Sequence, residues 1–242
     1  MSGSTGRSTD GRGRTKGSVL SGLAVAVGCV LFLGGFVWAA LLYRPYTVPT
    51  DSMSPTIAAG GRVLAERVAD SEIRRGDVVV FKDSVWGDQP MLKRVVGIGG
   101  DKVSCCTKAG LLTVNGTPVE EPYLHGSGPA SPAVFQATVP AGHLFLLGDH
   151  RSGSLDSRVH LTDGAQGSVP RSAVEARVDA RAWPLDSIGM MQRPTGFAGL
   201  PGGISQPGPI RPLTFAVAAG AVLILGGAAH GPIARRLARR RG

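Results

Sequence analysis

Two uncharged apolar runs bracket a long stretch in which hydrophobic and polar positions alternate. Residues 18–43, SVLSGLAVAVGCVLFLGGFVWAALLY, hold no charged side chain. The run exceeds the roughly 20 residues needed to cross a bilayer and sets Trp38 and Tyr43 near one end, where aromatic belts sit. It predicts a transmembrane helix. A cleaved secretory signal shares the basic start and apolar core, but its core is much shorter, and Tyr43-Arg44-Pro45 is not a small-residue cleavage site. The second run, LTFAVAAGAVLILGGAA at residues 213–229, is richer in Gly and Ala and close to the lower limit for spanning. It predicts a second membrane helix over 213–230.

Between the runs the pattern changes to short β-branched or alternating segments punctuated by Gly, Pro and Asp. RVLAERV from Arg62, DVVVF from Asp77, MLKRVVGI from Met91, DKVSCC from Asp101, LLTVNGTPV from Leu111, HLFLLG from His143 and VEARVDARAW from Val174 read as strands. Asn115-Gly116 is a two-residue hairpin signal, because both central positions of a type I′ turn need positive φ. No helical period stands out, so residues 44–188 predict one mainly β domain. The Pro- and Gly-rich residues 189–212 predict a linker without regular structure or core positions.

The net charge of +9 invites a nucleic-acid reading until the charges are located. In the first seventeen residues Arg7, Arg12, Arg14 and Lys16 against Asp10 give +3. The last eight give +5 through Arg235, Arg236, Arg239, Arg240 and Arg241, so only +1 is left for everything between. Basic tails at 1–17 and 231–242 around a near-neutral middle fit two cytoplasmic ends under the positive-inside rule, and no nucleic-acid partner. Cys29 lies in the first run, and Cys105 and Cys106 are adjacent. A bridge between neighbours is strained, so two thiols are expected.

Metal and cofactor chemistry finds no support: there is no CxxC or HExxH, and His125, His143, His150 and His160 lack ligand spacing. Nucleophilic catalysis remains. VPTDSMSPTI, shortly after the first run, offers Ser52 and Ser54, and a serine needs a base. One choice is a histidine, His150 beside Asp149 or His143; the other is a lysine made neutral by burial. Of five lysines, only Lys93 stands in the middle of an apolar strand, sharing a face with Met91 and Val95 while Leu92, Arg94 and Val96 take the other. Desolvation there would lower its pKa. A lone strand lysine more commonly covers apolar surface with its stem, as Lys82, Lys102 and Lys108 would.

PTDSMSPTI, RRGDVVVF, LKRVVGIGGD and LGDHRSGSLDSR occur in this order over about a hundred residues. This set resembles the motifs of bacterial type I signal peptidases, membrane-bound Ser/Lys endopeptidases that cut signal peptides from exported proteins. The resemblance covers residues 48–158 and implies a signal-peptidase-like β domain carrying a Ser/Lys dyad, with no cofactor and no metal. It matches Ser52 to the nucleophile, Lys93 to the general base, and Thr50 to the hydroxyl that forms an oxyanion hole with the Ser52 N–H. Ser154 matches a serine that hydrogen-bonds the lysine, Asp156 and Arg158 a charged pair that shapes the site, and Asp149 the partner of Arg94. His150 stands where the family usually has Asn, Ser152 and Gly153 replace Asp and Asn, and Gly99 replaces a Pro; every proposed catalytic group is present.

The implied partners are signal peptides of exported preproteins and the lipid bilayer, and the implied location is a bacterial plasma membrane with the β domain outside. Nine residue-to-residue steps separate Tyr43 from Ser52, a reach of about 30 Å at most, which holds the nucleophile near the membrane surface. The self-cleaving repressors of the SOS response share the dyad, but they carry a DNA-binding module and no membrane anchor. A membrane-tethered binding domain with a decayed site would be expected to lack Ser52, Lys93 or Ser154.

Overall fold

The computed structural model describes residues 16–239 and divides into two compact units, one of residues 42–208 and one built from the segments on either side. Of the basic tails read from the sequence, residues 1–15 and 240–242 lie outside the described residues, while residues 231–239 continue the second helix.

The flanking unit is a pair of helices, α1 (Lys16–Leu42) and α2 (Ile210–Arg239). Within them Val19–Leu42 and Ile210–Ala229 are long and apolar enough to cross a membrane, with mean hydropathies of 2.4 and 1.9. At 1.5 Å per residue the first covers about 36 Å. Its outward positions Leu20, Val30, Phe36 and Trp38 are exposed, as on a helix whose surroundings are apolar on all sides. Glycines let the two helices meet. A Cβ on Gly220 would lie 2.6 Å from Phe32 N and one on Gly28 2.8 Å from Gly220 O, while Ser21 Oγ donates to Gly227 O at 2.7 Å. The first helix stops one residue earlier than the hydrophobic run. Tyr43 is buried in the β unit and its hydroxyl donates to Asp179, so it is no interfacial belt residue.

The β unit contains two antiparallel sheets. The larger one contains β1 (Tyr43–Thr47), β2 (Arg62–Glu66), β3 (Val78–Asp83), β4 (Gly87–Ile98), β9 (His143–Leu147), β10 (Val169–Pro170), β11 (Val174–Trp183) and β12 (Gly189–Met190). Its order is β1-β2-β11-β3-β4-β9-β10, with β12 on β11. The smaller sheet, ordered β7-β6-β5-β8, contains β5 (Lys102–Cys105), β6 (Leu112–Val114), β7 (Thr117–Val119) and β8 (Phe135–Thr138). Asn115 and Gly116 join β6 to β7 with φ of 55° and 80°, as the hairpin signal requires.

The unbroken apolar run of β3 is explained by burial on both faces. Val78 and Val80 pack with Val48, Met53 and Ile57, whereas Val79 and Phe81 pack with Val95, Leu144 and Leu146. A third cluster joins the smaller sheet to β9 through Val103, Leu112, Phe145 and Leu147.

Two expectations are corrected. Residues 189–208 do not behave as a linker: Gly189–Met190 pair with β11, Met191 is buried beside Val178, and Phe197 and Leu200 enter the cluster under the smaller sheet. A few large apolar side chains suffice to hold a Pro- and Gly-rich segment against a sheet. Cys105 and Cys106 form a disulfide rather than two thiols, with their Cα atoms 3.0 Å apart.

Candidate active site

The turn bearing VPTDSMSPTI is fixed at both ends by burial. Val48, Met53 and Ile57 are in the core, Val48 N donates to Gly61 O at 2.8 Å, and Gly60 N donates back to Val48 O at 2.7 Å. Inside the loop, Ser54 N donates to Asp51 O and Ile57 N to Met53 O, closing two tight turns. Met53 is therefore a peg that presents its neighbour, Ser52, which is 7% exposed.

Lys93 comes from the middle of β4, opposite Val79 in the ladder with β3, and is 5% exposed. Its Nζ donates to Ser52 Oγ at 2.8 Å, a separation that serves equally for a proton moving from the hydroxyl to a neutral amine. Burial is the main cause that holds its pKa below the ordinary lysine value; Asp156 and Asp149 pull it back up, and Arg158 adds to the lowering. Thr50 Oγ1 donates to Ser52 Oγ at 3.2 Å. Ser52, Thr50 and Lys93 line one cleft of about 350 Å3 with Val80, Leu92 and Leu155.

A loop from Gly148 to Arg158 closes the other side. His150 N donates to Ser52 O at 3.1 Å, tying the loop to the nucleophile's backbone. Arg94 grips Asp149 with two bonds, Nε to Oδ1 at 2.8 Å and Nη2 to Oδ2 at 2.6 Å, and Thr56 also donates to Asp149. Arg158 holds Asp156 with two bonds of 2.8 Å, and Asp156 Oδ2 accepts from Gly148 N at 3.0 Å. Gly148 has to be glycine, since a Cβ would run into Ser154 and lie 2.6 Å from Ser52 O.

Ser52, Lys93, Thr50, Asp149, Arg94, Asp156 and Arg158 thus meet in one place. Ser154 differs: its hydroxyl is buried against Gly148 and has no hydrogen-bond partner, so the bond to the lysine expected from the resemblance does not form here. Ser54 lies in the turn, half-buried, and is not among the residues that line the cleft with Lys93. The histidines point elsewhere. His150 Nδ1 lies 3.2 Å from Asp51 Oδ2 with its ring 4.5 Å from that of His125, and His143 Nδ1 faces Ala141 O. Among the described residues, Lys93 is the one titratable side chain hydrogen-bonded to Ser52 Oγ.

The sequence reading missed Arg151 and Glu121. They form a buried two-bond pair, and Arg151 also donates to Gly148 O at 3.0 Å and to Ala130 O, bracing the loop from below. Arg151 lies within LGDHRSGSLDSR, but nothing in the chain points to a carboxylate thirty residues earlier. Among the described residues, no group of three or more His, Cys, Asp or Glu is placed to hold a metal ion.

Comparison with known proteins adds an independent line. The family described as "Signal peptidase, peptidase S26" matches residues 19–183. The signal peptidase I of Mycobacterium tuberculosis strain H37Rv is 28% identical over 208 residues, covering 65% of this chain and 70% of the relative. The signal peptidase IB of Staphylococcus aureus strain COL is 32% identical over 184 residues, covering 69% and 90%. A crystal structure of a signal peptidase I from Enterococcus faecalis V583 is 28% identical, covers 43% of this chain and 95% of its own, and has a TM-score of 0.36.

Proposed function

The chain belongs to the signal peptidase family, peptidase S26, and on that footing we propose that it is a membrane-bound serine endopeptidase in which Ser52 attacks the scissile carbonyl and Lys93 takes its proton. The single observation that carries the reading is the 2.8 Å contact between two buried side chains, Lys93 Nζ and Ser52 Oγ. Burial favours the neutral amine, and only the neutral amine can accept a proton. As Oγ bonds to the carbonyl carbon, the oxyanion is met by the Ser52 N–H and the Thr50 hydroxyl. The lysine ammonium then gives its proton to the leaving amine, the C–N bond breaks, and water releases the acyl group from Ser52.

The substrate is the signal peptide of an exported preprotein, laid down as an extended strand. Among the described residues β9 meets β4 over Arg94–Ile98 and not beyond, so Pro90–Lys93, which line the cleft, have an edge open to a further strand. Shallow pockets walled by Val80 and Leu92 suit small side chains at the first and third positions before the cut. Two apolar helices anchor the chain in the plasma membrane, with the β unit outside and both termini in the cytoplasm. The short segment from Leu42 to Ser52 keeps the nucleophile close to where a substrate's apolar segment ends.

The test is cleavage of a peptide containing an Ala-x-Ala segment by the full chain in detergent. Wild type should cut after the second Ala and Ser52→Ala should not; equal behaviour of the two overturns the reading.

A further inference from the structure

A second cavity, of about 400 Å3, shares no lining residue with the catalytic cleft. It includes Pro55 and Thr56 from the turn that carries Ser52. Its cationic wall is Arg94, Arg181 and Arg193, and no lining residue is acidic. The three guanidiniums arrive from different parts of the chain: β4, β11 and the segment after β12.

Two of these charges are met from behind the wall. Arg94 is held by Asp149, and Arg193 by Asp179, with Asp77 at 3.6 Å from its Nε. Arg181 is the surplus charge. Among the described residues it has no carboxylate within ion-pair distance; Nη1 donates to Thr56 O at 3.2 Å, and Nε is buried without an acceptor. Arg193 Nε is also buried and makes no hydrogen bond. Those two Nε atoms have no surface that a ligand could reach, so the end of Arg181 that offers a donor to the cavity is Nη2, which is not buried and makes no hydrogen bond among the described residues.

Guanidinium forks select oxyanions, and a tetrahedral phosphate has more oxygens than a planar carboxylate with which to meet the Arg181 fork and a neighbouring guanidinium together. We propose that this cavity binds a phosphate group, with Arg181 as the main anchor and Arg193 as the second. Met190, Met191 and Pro122 give the site an apolar side, compatible with phosphate carried on an organic moiety. Free phosphate and the headgroup of a phospholipid share this chemistry. The site is separate from the Ser52–Lys93 reading, and its test does not use proteolysis.

The test is thermal unfolding of the full chain in micelles of a neutral detergent. Inorganic phosphate is compared with sodium chloride at matched ionic strength, and added phosphatidylglycerol with added diacylglycerol, which lacks phosphate. At phosphate tenfold above its Kd, wild-type Tm should rise by about 3 °C. Arg181→Gln should show no rise, and Arg181→Lys, which keeps the charge but loses the fork, a smaller one. An Arg181-dependent rise with phosphate alone assigns the site to the free anion; one with phosphatidylglycerol alone assigns it to a headgroup. The proposal is overturned if neither additive gives an Arg181-dependent rise, or if sodium chloride and diacylglycerol reproduce it.

Discussion

Lys93 and Arg94 are consecutive on β4, both almost fully buried, and project to opposite faces of the sheet. On one side the lysine meets a single hydroxyl and, among the described residues, has no ion pair, so burial lowers its pKa. On the other side the arginine meets the Asp149 carboxylate, the Gly76 carbonyl and the ring of Tyr123, 3.8 Å below its central carbon, and its pKa is raised. The same degree of burial makes one cation a base and the other a fixed charge, and the difference lies in the partners supplied. Chemistry needs the poorly compensated side; the architecture of the loop needs the well compensated one.

The largest effect should come from the lysine side. Lys93→Ala is expected to lower kcat/KM by about 10^4-fold or more, as loss of a general base from a serine protease does. Lys93→Met should do the same while leaving Tm unchanged or raised, because it replaces a desolvated amine by an apolar chain of similar shape. Thermal melts beside the kinetics check both halves.

Next in size is the arginine side. Arg94→Gln strands the buried Asp149 carboxylate and should cost about 3–5 kcal/mol of stability, read by denaturant unfolding. Loss of stability on Lys93→Met with none on Arg94→Gln would invert the comparison.

The contrast was only partly legible in the sequence. Strand alternation put Lys93 and Arg94 on opposite faces, and all seven sequence-read strand segments form strands. The strands that were missed, β1, β8, β10 and β12, are short or carry Pro and Gly, and they exist because a neighbour supplies the ladder. Phe197 and Leu200 could not be recognised as core residues from a local window dominated by Pro and Gly. Local pattern also cannot reveal a buried pair such as Arg151–Glu121, whose partners meet through the tertiary fold.

A smaller effect concerns pH. Only neutral Lys93 is active, so kcat/KM should rise with pH through its pKa, below the ordinary lysine range because burial disfavours the ammonium. Arg158 contributes to that lowering, so Arg158→Gln should move the acid limb to higher pH; a shift to lower pH would show that the charges around the lysine are misassigned. The smallest effect is expected at His150. Its ring faces half-exposed surroundings and Asp51, while its backbone N–H, which any residue keeps, is what binds Ser52 O. His150→Ala should change kcat/KM by less than about tenfold, the scale of one partly exposed ion pair.

The most direct measurement is the pH dependence of kcat/KM on an Ala-x-Ala peptide for wild type, Lys93→Ala and His150→Ala in parallel. Expected is no activity above background for Lys93→Ala at any pH, with His150→Ala keeping the wild-type acid limb. Cleavage by Lys93→Ala together with silence of His150→Ala would move the base to the histidine and contradict the assignment.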